Sequence, residues 1–139
     1  LSDGRVLLNI RSYRGNHRRL IAVSEDGGLT FRALREDAAL VEPVCQASIL
    51  RWPYRITGAR SLLLFSNPAS TKRERLTVRA SFDDGQTWPK QLLLHEGPAA
   101  YSCLTAIDAN TIGCLYERGE KHPYESIYLA RIPLALLIP

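Results

Sequence analysis

The pattern Ser-x-Asp-x-Gly-x-Thr-aromatic occurs twice, as SEDGGLTF at 24–31 and SFDDGQTW at 81–88. Two copies 57 positions apart, from Ser24 to Ser81, restrict the chain to a fold assembled from repeated units of about that size. The correspondence extends back from the motif. Shifted by the same offset, VLLNI at 6–10 falls on LLFSN at 63–67 and RRLIAVS at 18–24 falls on RLTVRAS at 75–81. Within each motif the glycine permits a turn with positive φ, Ser and Asp can bond the turn's own backbone, and the aromatic residue can cover the hairpin. Asp26 and Asp83 are therefore read as hairpin formers. As calcium ligands they would each lack the further oxygen donors that calcium takes.

Strands are legible from punctuation. RVLLNIRS, RRLIAVSE, ASILRWP, SLLLFSN, RLTVRASF, QLLLHE, TIGCLYE and SIYLARI are short apolar or β-branched runs divided by Gly, Pro, Asn, Asp and Ser. No window sustains a capped i, i+3, i+4 apolar stripe, so the expected class is all-β without an appreciable helix. A unit of about 50 residues with about four strands is the size of a β-propeller blade. The expected blades run at about 1–43, 44–95 and 96–135, the last containing YSCLTAID, TIGCLYE and SIYLARI but no Asp motif.

Composition narrows the function classes. The 139 residues are 45% hydrophobic, and no apolar run reaches the roughly 18 residues that span a bilayer. The net charge of +4 is concentrated in RSYRGNHRR at 11–19 and TKRER at 71–75, without the interleaved aromatics of an RNA-stacking surface, so no nucleic-acid partner is expected. Cys45, Cys103 and Cys114 make neither a CxxC pair nor an even set, and are read as buried small hydrophobes rather than metal ligands or disulfides. The chain opens on Leu1, contains no Met and shows no basic-then-apolar leader, which reads as a processed or cropped start and leaves the compartment open between secreted, periplasmic and cytoplasmic.

Five further segments, in order along the chain, carry a resemblance. LSDGRVLLNIRS resembles the second-arginine strand of the sialidase (neuraminidase) family, CQASI its C-Q-[AG]-S blade start, and FSNPASTKRERL the segment of its third arginine. AAYSCL resembles its nucleophile segment and GCLYERG its L-Y-E-x-G strand, while the two Asp motifs are similar to its Asp boxes. The resemblance implies about three blades, the C-terminal half, of a six-bladed propeller that removes terminal sialic acid from glycoconjugates with retention.

By this resemblance Arg11 and Arg73 bind the substrate carboxylate, Tyr101 is the nucleophile, and Glu117 stands behind them and orients the family's first arginine. The chemistry is coherent. A guanidinium fork pairs with a carboxylate in a geometry that lysine lacks. A phenol, neutral until it attacks, avoids the repulsion that a carboxylate nucleophile would meet at an anomeric centre already bearing a carboxylate. No metal or other cofactor is implied. The expected partners are a sialylated glycan and the missing N-terminal half of the propeller, which holds the first arginine, the acid/base aspartate and the glutamate that activates the phenol. IPLALLIP reads as a chain cut at, or just after, its last blade strand. Arg14, Arg18, Arg19, Arg75 and Arg79 are read as solvated surface residues, and Tyr54, Tyr116, Tyr124 and Tyr128 as half-buried strand residues. The alternatives are a sugar-binding or interaction propeller without catalysis and a structural repeat protein.

Overall fold

The computed structural model describes residues 1–56, 58 and 61–139, so Thr57, Ala59 and Arg60 of the expected second blade lie outside the described residues. The chain is all-β and forms two antiparallel sheets. The first contains β1 (Val6–Ile10), β2 (Arg18–Ser24) and β3 (Arg32–Val41) in that order. The second runs β4 (Ser48–Arg51), β5 (Leu63–Pro68), β6 (Glu74–Ser81), β7 (Lys90–Asp108), β8 (Thr111–Arg118) and β9 (Ser126–Pro133), each paired with the next. A single 3-10 turn, Leu134–Leu136, is the helical content of the described residues.

The repeat offset holds at the level of strand pairing. Val6 pairs with Ser24 and Ile10 with Leu20; 57 positions on, Leu63 pairs with Ser81 and Asn67 with Thr77. Because side chains alternate along a strand, equal register puts equivalent positions of both hairpins on equivalent faces.

Two strands differ from the sequence expectation. β3 lies outside the expected strands, because its ten residues show no alternation and only Asp37 and Leu40 are buried. QLLLHE and YSCLTAID form one strand rather than two. β7 is 19 residues long and changes partners midway: Glu74 on β6 pairs with Pro98, whereas Ala99 pairs with Arg118 on β8. The GPAA segment keeps the chain extended through this exchange. The Ala99 N–H donates to the Arg73 carbonyl at 2.9 Å and the Gly119 N–H donates to the Pro98 carbonyl at 3.0 Å.

The core lies on one face of the large sheet. Leu76, Val78 and Ala80 of β6 meet Leu64, Ala99, Leu104, Ile112, Cys114 and Ile132, with Trp52 at one end and Leu134 and Leu137 folded over the other. β5 is buried along its whole length, which explains its unbroken apolar start. Its other face looks toward the first sheet. There the Asn67 side-chain amide donates to the Val41 carbonyl at 2.8 Å and the Trp88 indole N–H donates to Asp37 at 3.3 Å.

Candidate active site

Both Asp motifs close hairpins, and they do so with the same hydrogen bonds. In the first, Thr30 donates its N–H to Asp26 Oδ1 at 2.9 Å and its hydroxyl to Oδ2 at 2.6 Å, while the Gly28 N–H donates to Ser24 Oγ at 2.8 Å. In the second, Thr87 donates to Asp83 at 2.9 and 2.6 Å, and the Gly85 N–H donates to Ser81 Oγ at 2.8 Å. The Thr30 hydroxyl and N–H hold the Asp26 carboxyl down to about 2. These carboxylates are spent on their own turns. The aromatics diverge: Phe31 is exposed, whereas Trp88 packs on Phe65 at 5.7 Å between centroids and binds Asp37 on β3.

Three residues singled out from the sequence meet where β7 changes partners. Arg73 sits on the β5–β6 loop, and its carbonyl is fixed by Ala99, two residues before Tyr101. Its guanidinium carbon lies 5.7 Å from the centre of the Tyr101 ring. Glu117, facing Tyr101 across the sheet, accepts a hydrogen bond from the Tyr101 N–H at 3.0 Å. Tyr101 is 41% exposed and borders a shallow cavity of about 320 Å³ that Gln46, Glu117 and Ile127 also line.

Arg11 follows directly on β1, and its guanidinium lies over the Tyr13 ring at 4.8 Å. Its Nε is buried without a hydrogen-bond partner among the described residues. Burial pushes the Cys45 thiol up, and the charges of Arg73 and Arg11 both oppose that rise.

The segment between the sheets explains the C-Q-A-S motif. The Gln46 amide accepts from the Ser102 N–H at 3.0 Å and donates to the Ser102 carbonyl at 2.9 Å, and Ser48 Oγ accepts from the Leu104 N–H at 3.0 Å. The two side chains thus bind the Tyr101 strand to β4, where backbone pairing does not reach. Behind them Glu42 is wholly buried and accepts from the N–H groups of Ser12 at 2.9 Å and Cys45 at 2.8 Å.

The surface reading of Arg19 and Arg79 is corrected. Arg19 is 3% exposed, lies 3.6 Å from Glu42, and donates to Asn9 Oδ1 at 2.6 Å and the Cys45 carbonyl at 2.8 Å. Arg79 is buried on Asn67 Oδ1 at 3.0 Å, and burial lowers its pKa against the opposing charge of Asp37. Both guanidiniums replace water with fixed polar partners, the condition for a charge to remain inside. The reading of all three cysteines as buried is corrected at Cys103, which is exposed; Cys45 and Cys114 are buried, and burial pushes the Cys114 thiol up to about 12. Tyr124 also departs from its reading. It lies on the β8–β9 loop, and its hydroxyl accepts a hydrogen bond from Arg73 Nη1.

The BNR repeat-like domain model matches residues 1–114. The chain belongs to this family. Its relatives include the sialidase of Micromonospora viridifaciens, 45% identical over 134 residues that cover 94% of this chain and 21% of that protein. The sialidase of Bacteroides fragilis is 42% identical, covering 88% of this chain and 23% of that protein. The solved Hadza microbial sialidase Hz136 superposes with a TM-score of 0.83 at 39% identity, over 97% of this chain and 26% of its own. The chain thus spans about a fifth of the length of these curated relatives, and its fold is that of part of a sialidase β-propeller.

Proposed function

We propose that this chain is the nucleophile-bearing part of an exo-α-sialidase that hydrolyses terminal sialic acid with retention. One observation carries the reading: Arg73, Tyr101 and Glu117, drawn from three separate elements, converge at the β7 exchange point. The 45% identity to a sialidase supplies the substrate class. Arg73 and Arg11 bind the carboxylate of the sugar. The Tyr101 hydroxyl attacks the anomeric carbon, forming the phenolic C–O bond as the glycosidic C–O bond breaks. The phenol proton passes to a base, and the leaving oxygen takes a proton from an acid, both supplied by the remaining blades of the parent protein. Water then cleaves the glycosyl–tyrosine bond, restoring the phenol with net retention.

The same reading assigns β1–β3, β4 to the first half of β7, and the rest of β7 to β9 as three blades. The outward face of the last, with Leu115, Ile127 and Leu129 exposed, becomes a blade interface in the closed ring.

The test uses the parent protein. Tyr101→Phe keeps the ring and removes the attacking oxygen, so turnover of a fluorogenic sialoside collapses while the unfolding midpoint and inhibitor binding persist. An unchanged turnover number, or an unfolded Tyr101→Phe protein, would make Tyr101 a packing residue and overturn the proposal.

A further inference from the structure

We infer that Tyr124 is a positioning residue that fixes the guanidinium of Arg73 against Tyr101, an inference that rests on the sialidase reading above. Arg73 lies between two aromatic rings, with its guanidinium carbon 5.7 Å from the centre of Tyr101 and 5.8 Å from that of Tyr124. Its Nη1 donates to the Tyr124 hydroxyl and its Nη2 to the Val44 carbonyl at 3.4 Å. These contacts set the plane of the fork and leave its other N–H groups free for a carboxylate. An arginine side chain on a loop otherwise has many rotamers to lose on binding, and fixing it beforehand removes that cost from substrate affinity.

The loop that presents Tyr124 is built for a fixed position. The Glu125 carboxylate accepts from the N–H groups of Glu120 at 3.0 Å, Lys121 at 3.0 Å and His122 at 2.8 Å, closing the loop on itself. The Tyr124 N–H donates to His122 Nδ1 at 3.3 Å, and the two rings meet edge-on at 4.8 Å. Gly119 makes the closure possible. A Cβ there would collide with the His122 carbonyl oxygen and lie 2.7 Å from the Glu125 carboxylate, and the Gly119 N–H also ties the loop to Pro98 on β7. The glycine that ends L-Y-E-R-G and the tyrosine five positions on therefore form one device that reaches from β8 to the arginine on the β5–β6 loop.

The experiment measures, in the parent protein, the affinities of a 2,3-unsaturated sialic acid and of its methyl ester, which lacks the carboxylate charge. Tyr124→Phe keeps the ring and removes the hydroxyl. It is expected to reduce the preference for acid over ester by about 10-fold, the cost of losing a hydrogen bond to a charged group, and to raise KM more than it lowers kcat. Tyr128→Phe on β9 serves as the control and leaves the preference unchanged. In an Arg73→Ala background Tyr124→Phe has no further effect. Equal weakening of acid and ester, or an unchanged preference in Tyr124→Phe while Arg73→Ala lowers it, overturns the positioning role and leaves the sialidase reading standing. A preference in Arg73→Ala as large as in the unsubstituted protein removes the carboxylate assignment of Arg73 itself, and the positioning role falls with it, while Arg11 still carries that assignment.

Discussion

Arg19 and Glu42 form a buried ion pair behind the candidate site, and the pair has no solvent to fall back on. Glu42 also accepts the N–H groups that start the segments after β1 and before β4. Removing it strands a buried guanidinium together with two backbone donors. Glu42→Ala is expected to destabilise the protein by about 3–5 kcal/mol, read as a lowered midpoint in equilibrium unfolding; an unchanged midpoint would show that water repairs the site. Sequence alone hid this role because Arg18 and Arg19 stand side by side in a basic stretch, and nothing local tells which faces inward. The repeat held the signal: the 57-residue offset sets Arg19 on Leu76 and Arg79 on Ala22, and both counterparts are core residues.

At the scale of the element, the Asp motifs define hairpins whose carboxylates must be ionised to accept several donors at once. Asp26 titrates in the folded chain at about 2, against about 3.9 for an unfolded aspartate. A depressed carboxyl contributes stability that is fully present above the unfolded value and is lost as pH falls through the folded one. Asp26→Asn is therefore expected to flatten the acid limb of the stability curve between about pH 4 and about pH 2. Thermal melts across that range check this, and identical slopes for the two proteins would mean that the Thr30 bonds persist on a protonated carboxyl. β3 and β7 mark the limit of reading elements from pattern. A strand with one thin buried face shows no period, and a strand that changes partners midway shows a Gly-Pro interruption that resembles a turn.

For the whole molecule, the decisive fact is the fraction present. This chain spans about a fifth of its curated sialidase relatives, and no described carboxylate hydrogen-bonds the Tyr101 hydroxyl. The 139-residue chain by itself is expected to show little or no turnover of a fluorogenic sialoside, since losing acid–base catalysis alone costs about 100- to 10,000-fold. Robust turnover by the purified chain would place a complete active site within it and overturn the division of labour proposed above.

The all-β class, the 57-residue repeat and its hairpin turns were determined by the sequence alone, because turn chemistry and strand register are local and recur with the residues that make them. The shortlist of Arg11, Arg73, Tyr101 and Glu117 rests on the resemblance of its motifs, in order, to those of the sialidase family. Tertiary structure decided the rest. It buried Arg19 and Arg79, turned Cys103 outward, joined two expected strands into β7, and brought Tyr124 to Arg73 from 51 positions away. Each of these depends on which face of one element meets another. That choice is made by long-range packing and hydrogen bonding, and no local window of residues contains it.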